Sequence, residues 1–145
     1  PGVALASDFM VGFPGETEDS FADTLRLVRE TRFHQSFAFK YSPRPGTLSA
    51  KWADDVPDEV KRERLQRLLG AQQTVDAERR AGMIGQRVEV LVDGVSKQDA
   101  TRVSGRTRQH DIVAFEGDES LSGRLCTVRI TDATTLTLLG CLETD

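Results

Sequence analysis

The chain has 145 residues, enough for one ordinary domain or two small ones. Hydrophobic residues make up 38% and charged residues 29%, a globular balance that excludes a disordered tail. The net charge of −4 excludes a chain that is basic overall, and no apolar run approaches the roughly 20 residues of a membrane-spanning helix.

From Val3 to Val11 the chain is mostly apolar, and it then stops at Gly12-Phe13-Pro14-Gly15. That pattern predicts a short parallel strand buried on both faces. Thr17 is placed to cap a following helix, with Glu18 and Asp19 near its positive end. Phe21, Leu25 and Val28 form one apolar stripe, which carries the helix to about Thr31. Phe37, Phe39 and Tyr41 alternate as in a second strand. Strand, helix, strand is the repeating unit of a parallel α/β sheet or barrel. Beyond it, the prolines of Ser42-Pro43-Arg44-Pro45-Gly46-Thr47 dictate an ordered turn.

A second helix is expected from about Pro57 to Arg80, capped by Asp55, with Val60, Leu65, Leu68, Leu69 and Val75 as its apolar stripe. Trp52 is expected to anchor the preceding segment by burial. Gly82 and Gly85 mark the exit, and from there the texture changes. Arg87–Asp93 alternates with period two, and similar segments follow at Asp111–Phe115, Arg124–Thr131 and Thr135–Leu142, punctuated by glycines. Short strands with glycine turns predict a small antiparallel barrel. The expected fold is therefore α/β over residues 1–83, then all-β over residues 84–145.

Charge is unevenly spread. Lys97, Arg102, Arg106 and Arg108 lie between Val95 and His110 against the single acid Asp99, and read as a basic loop on an acidic body. Such a loop is either a solvated surface or a local phosphate contact. Cys126 and Cys141 are not spaced as a metal pair, fit a reducing compartment, and read as core residues. His34 and His110 have no metal-spaced partner, so no metal ligand is assigned.

Three segments carry a family signature. Asp8-Phe9-Met10-Val11-Gly12-Phe13-Pro14-Gly15-Glu16-Thr17 resembles a segment of the radical-SAM methylthiotransferases. Tyr41-Ser42-Pro43-Arg44-Pro45-Gly46-Thr47 is similar to one of their MiaB branch, and the tail from Gly85, with Gly105-Arg106-Thr107, resembles a TRAM domain. The resemblance implies the carboxyl-terminal part of a radical-SAM partial (β/α) barrel, followed by an OB-like TRAM barrel. It implies an enzyme that places a methylthio group on a modified adenosine beside the tRNA anticodon, using S-adenosyl-L-methionine and two 4Fe-4S clusters. A radical cofactor suits that chemistry, because a ring C–H bond is inert to acid–base catalysis. The chain has no Cys-x-x-x-Cys-x-x-Cys set for such a cluster, so it is expected to be a piece of the parent enzyme and inactive alone.

On that resemblance, Gly12, Phe13, Pro14, Gly15, Glu16, Tyr41, Ser42 and Arg44 are candidates for contact with the cofactor. They follow strand ends, where parallel barrels place their ligands. Arg44 carries a fork of donors suited to a carboxylate or phosphate. Lys97, Arg102, Arg106 and Arg108 are candidates for contact with the anticodon arm of tRNA, through phosphates and 2′-hydroxyls. The expected protein is cytoplasmic and monomeric, with no membrane partner. Rival readings are the threonylcarbamoyladenosine (MtaB) branch, the ribosomal-protein aspartate (RimO) branch and a non-catalytic RNA-binding module. The Arg44-Pro45 pair disfavours the RimO branch, and Phe37-Ala38-Phe39 favours MiaB over MtaB.

Overall fold

A computed structural model describes residues 2–143, which divide into two compact units, Ala4–Asp76 and the residues from Ala77 onward together with Gly2 and Val3. The first unit contains β1 (Ala6–Val11), α1 (Glu18–Thr31), β2 (Gln35–Lys40) and most of α2 (Asp58–Ala81). β1 and β2 pair in parallel, from Ala6 opposite Gln35 to Val11 opposite Lys40. Tyr41 N–H donates to Val11 O at 2.8 Å and extends the pairing by one step. Parallel pairing puts both carboxyl ends together, so the turns at 12–16 and 42–47 leave from one rim of the sheet.

α1 forms where its cap is complete. Thr17 Oγ1 accepts from Ser20 N–H at 3.2 Å, and Thr17 N–H donates to Ser20 Oγ at 3.0 Å, a reciprocal capping box. Phe21, Leu25 and Val28 pack with Phe9 and Val11 of β1 and with Leu68 and Ala71 of α2 in one core. That core lies on one side of the sheet. Met10, Phe37 and Phe39, on the other side, are 51%, 50% and 54% exposed, so the expected burial of β1 on both faces does not hold. Both helices contribute their apolar stripes to the Phe9–Val11 side.

α2 also departs from its expected stripe. Its buried residues are Lys61, Arg64, Leu68, Ala71, Gln72 and Val75, whereas Leu69 is exposed. The helix thus turns two cations toward the rim. Its first bond runs from Lys61 N–H to Pro57 O at 3.0 Å, and Asp55, expected as its cap, instead accepts from Gly15 N–H at 2.8 Å. Among the described residues no helix is long and apolar enough to cross a membrane.

The second unit is a closed barrel of β3 (Arg87–Val95), β4 (Arg102–Arg106), β5 (Ile112–Glu116), β6 (Leu125–Ala133) and β7 (Leu138–Leu142). The ring order is β3-β4-β5-β7-β6, with β3 paired to β6. The expected all-antiparallel barrel needs correction, because β5 and β7 run parallel. Five strands cannot alternate direction around a ring, so one neighbouring pair must agree. Residues Val90, Val92, Val103, Val113, Phe115, Val128 and Ile130 point inward and fill the interior with Cys126 and Leu138. Cys141 is exposed rather than packed in the core. Leu138 faces inward on β7, and the period of two then turns Cys141 outward.

Candidate functional site

The rim of the first unit is built by α2 as much as by the two turns. Gly12 has φ +70°, and a Cβ there would lie 2.3 Å from Lys61 Cγ, so the lysine stem occupies the space that a side chain would need. Gly12 N–H donates to Glu16 Oε1 at 2.9 Å, and Glu16 N–H donates to Phe13 O at 2.9 Å. Arg64 Nη1 donates to Glu16 Oε1 at 2.7 Å and to Glu16 O at 3.0 Å, with the two side chains only 7% and 12% exposed. The Glu16 carboxylate therefore ties the start of its own turn to the helix.

A second tie lies beside it. Lys61 Nζ donates to Asp54 Oδ1 at 2.5 Å and sits 5.2 Å from the centre of the Tyr41 ring. Tyr41 O–H donates to Ser49 O at 3.0 Å. The Phe13 ring meets the rings of Tyr41 and Trp52 edge to face, at 5.1 and 5.7 Å. Trp52 is half exposed, not buried as expected, because this edge contact leaves its face open. Tyr41 and Ser42 line an open cleft of about 480 Å³ with Lys40, Asp54 and Lys61. Lys40, then Arg62, hold the Asp58 carboxyl below the ordinary aspartate value, so it stays ionised at the cleft edge and balances the Lys40 charge. Arg44 is exposed in the second turn, where its carbonyl accepts from Thr47 N–H at 3.2 Å.

In the barrel, the expected basic loop is largely a strand. Arg102, Ser104 and Arg106 of β4 alternate with inward Val103 and Gly105. The signal was in the sequence, but Gly105 reads as a turn residue unless its close packing is known. Lys97 and Arg106 line one groove of about 430 Å³ with Val95, Ser104, Ile112 and Thr137. Arg106 also emerges within an outward cross-strand row of Leu125, Leu91 and Ile112, all exposed. Asp93 lines the same groove, 3.9 Å from Arg106 Nε, and the other two cations face acids outside it. Arg102 Nε lies 3.3 Å from Asp99, and Arg108 Nη2 lies 3.3 Å from Glu89. Asp99 is held below its ordinary value, first by the Thr101 hydroxyl, then by the Thr101 N–H, with the Arg102 charge adding to both. It therefore stays ionised and partly neutralises Arg102.

Residues 82–142 match the TRAM domain family. A tRNA-2-methylthio-N(6)-dimethylallyladenosine synthase of Moorella thermoacetica is 48% identical over 140 residues, covering 97% of this chain and 32% of that protein. The protein of the same name from Alkalilimnicola ehrlichii is 50% identical over 143 residues, 97% of this chain and 31% of that protein. One from Acetivibrio thermocellus is 49% identical over 140 residues, covering 97% and 29%. The chain thus carries a TRAM domain and is similar over 97% of its length to the carboxyl-terminal regions of these tRNA methylthiotransferases. It spans 29–32% of the length of these curated relatives.

In the first unit, the structure brings Phe13 to Tyr41 and Gly12 to Glu16, and it leaves Arg44 outside the cleft. In the TRAM barrel Lys97 and Arg106 line one groove with Asp93, and Arg102 and Arg108 face separate acids outside it. Sequence reasoning missed Lys61 and Arg64. They fall in phase with Leu68, Ala71 and Val75 on α2, but a search for apolar spacing passes over charged residues.

Proposed function

We propose that the chain serves a methylthiotransferase acting on a modified adenosine beside the tRNA anticodon, with its TRAM barrel gripping the anticodon arm. The observation that carries this reading is the groove shared by Lys97 and Arg106 in a domain of the TRAM family. Two cations against the single acid Asp93, beside Val95 and Ile112, suit a backbone phosphate and its adjoining sugar and base. Arg102 and Arg108 lie outside that groove, each against its own acid, and contribute less to that grip. The relatives carry the name of an enzyme that makes a 2-methylthio-N(6)-dimethylallyl adenosine in tRNA, which supplies the substrate class.

In this reading the first unit is the closing part of a radical-SAM barrel wall, with the turns at 12–16 and 42–47 on its ligand-facing rim. The half-exposed faces of Phe13 and Trp52 and the Ser42 hydroxyl fit the adenosyl half of S-adenosylmethionine. That cofactor supplies the radical that activates the ring carbon. The N–H groups of Gly12, Gly15 and Glu16 are already paired, so Gly12 and Glu16 shape the turn and Phe13 makes the contact. The residues do not fit an iron–sulfur cluster. Among those described, no three of His, Cys, Asp and Glu come together to hold a metal.

Titration of an anticodon stem-loop RNA against the chain, by fluorescence anisotropy over a salt series, tests the grip. Lys97→Ala and Arg106→Ala should each flatten the log–log salt slope by about 0.7 to 0.9, the value for one lost phosphate contact. Arg129→Ala, in a residue paired with Glu143, should leave the slope in place. Absence of binding, or slopes unchanged in both groove variants, overturns the reading.

A further inference from the structure

The turn that joins β4 to β5 is unusually closed for a surface connection. Thr107 N–H donates to Asp111 O at 3.0 Å, His110 N–H donates to Thr107 O at 3.0 Å, and Asp111 N–H donates to Thr107 Oγ1 at 3.1 Å. His110 is held at φ +69°, a left-handed conformation that a non-glycine residue keeps only when its surroundings over-determine it. Thr107 and Asp111 are both buried. The buried carboxylate is met by Arg79, in the last turns of α2, whose Nη1 lies 2.7 Å from Asp111 Oδ1. Their side chains are 15% and 8% exposed.

Arg79 is poorly placed to touch nucleic acid itself, because its side chain is only 15% exposed and its charge is already matched. What it holds is the turn. Arg106 Nη1 lies 3.4 Å from His110 O, and Arg108 projects from the same turn, 78% exposed. Without the guanidinium, Asp111 would be a buried charge with no cation, and the turn would open to hydrate it. Arg106 would then lose its backbone support.

We propose that Arg79 is a positioning residue for RNA binding, acting through Asp111 to fix the Thr107–Asp111 turn and thereby the direction of Arg106. The proposal rests on the reading of the groove as an RNA grip, and its test separates the two. Amide hydrogen exchange on the 145-residue chain, without RNA, comes first. Arg79→Met and, separately, Asp111→Asn should speed exchange at His110 and Asp111, while Val90, Val113 and Val128 in the barrel interior keep wild-type protection. Unchanged exchange in the turn overturns the proposal whatever the RNA does. So does loss of protection through the whole barrel in both variants, which would make the pair a general support of the fold.

RNA binding follows. With the anticodon stem-loop as probe, Arg79→Met should weaken binding about tenfold, as expected for loss of one charged contact. It should also flatten the salt slope by about 0.7 to 0.9, although Arg79 touches no phosphate. Arg79→Lys keeps the charge but not the planar fork, and should recover part of the affinity. Wild-type affinity and slope in Arg79→Met overturn the positioning role. Failure of the unaltered chain to bind, or indifference to Arg106→Ala, would instead sink the grip itself, leaving the exchange result to decide what Arg79 does to the turn.

Discussion

At Gly105 a single hydrogen in place of a side chain decides whether the barrel closes. A Cβ there would lie 2.1 Å from Leu91 O and 2.8 Å from Val90 Cγ1, because β4 runs hard against β3 beside the register shift at Val92 and Gly94. Gly140 has the same role on β7, where a Cβ would stand 2.4 Å from Val128 Cγ1, next to the shift at Ile130 and Asp132. Bulges and glycines placed this way let a small sheet bend enough to close. Gly105→Ala should therefore cost about 1–3 kcal/mol in urea unfolding, the usual range for overpacking. Gly70→Ala is the contrast. Gly70 is exposed in mid-helix with nothing within 4 Å of the added carbon, and that change should stabilise by about 0.5–1 kcal/mol. Equal effects of the two changes would refute the close-approach account.

Among the elements, α2 shows how pattern and packing part company. Counted by hydrophobicity, its stripe runs through Leu65, Leu68 and Leu69, yet Lys61 and Arg64 are buried and Leu69 is not. The reason is on the rim, where the carboxylates of Glu16 and Asp54 wait for cations. Removing one partner of such a pair is costly, since the other charge stays buried alone. Arg64→Met should accordingly lower the stability of the first unit by about 3–5 kcal/mol, read from the denaturant midpoint of Trp52 fluorescence. A loss below about 1 kcal/mol would mean that Glu16 finds water or another donor, as exposed pairs do. Strand β4 teaches the complementary lesson. Its outward arginines made it look like a loop, and only pairing with both β3 and β5 reveals the strand.

Across the whole chain, two separate cores stand behind the fold, one around Phe9, Phe21 and Leu68 and one inside the barrel. Phe21 is fully buried in the first, and Trp52 is the sole tryptophan, so its fluorescence reports on that unit. Phe21→Ala should cost about 3–5 kcal/mol by this probe, while hydrogen exchange at Val90 and Val128 stays as in the parent chain. Matching losses by both probes would show one cooperative unit instead. Charge also has to be read at this scale. A net −4 would argue against RNA, but Lys97 and Arg106 share a groove where local rather than total charge acts.

The sequence by itself determined the elements whose causes are local: the Thr17 cap, the Phe21–Leu25–Val28 stripe, the proline turn after Tyr41 and the alternating strands beyond Gly85. It also carried the resemblance, because the Gly12–Glu16 and Tyr41–Thr47 segments and the TRAM tail are contiguous words. Tertiary structure alone decided the parallel β5–β7 pair, the strand at Arg102–Arg106, the burial of Lys61 and Arg64, the pairing of Arg79 with Asp111, and the groove that Lys97 and Arg106 share. Each of these depends on a partner far away in the chain. A charged side chain reads as solvated until the carboxylate that lets it be buried comes into contact, and spacing along the chain does not encode that contact.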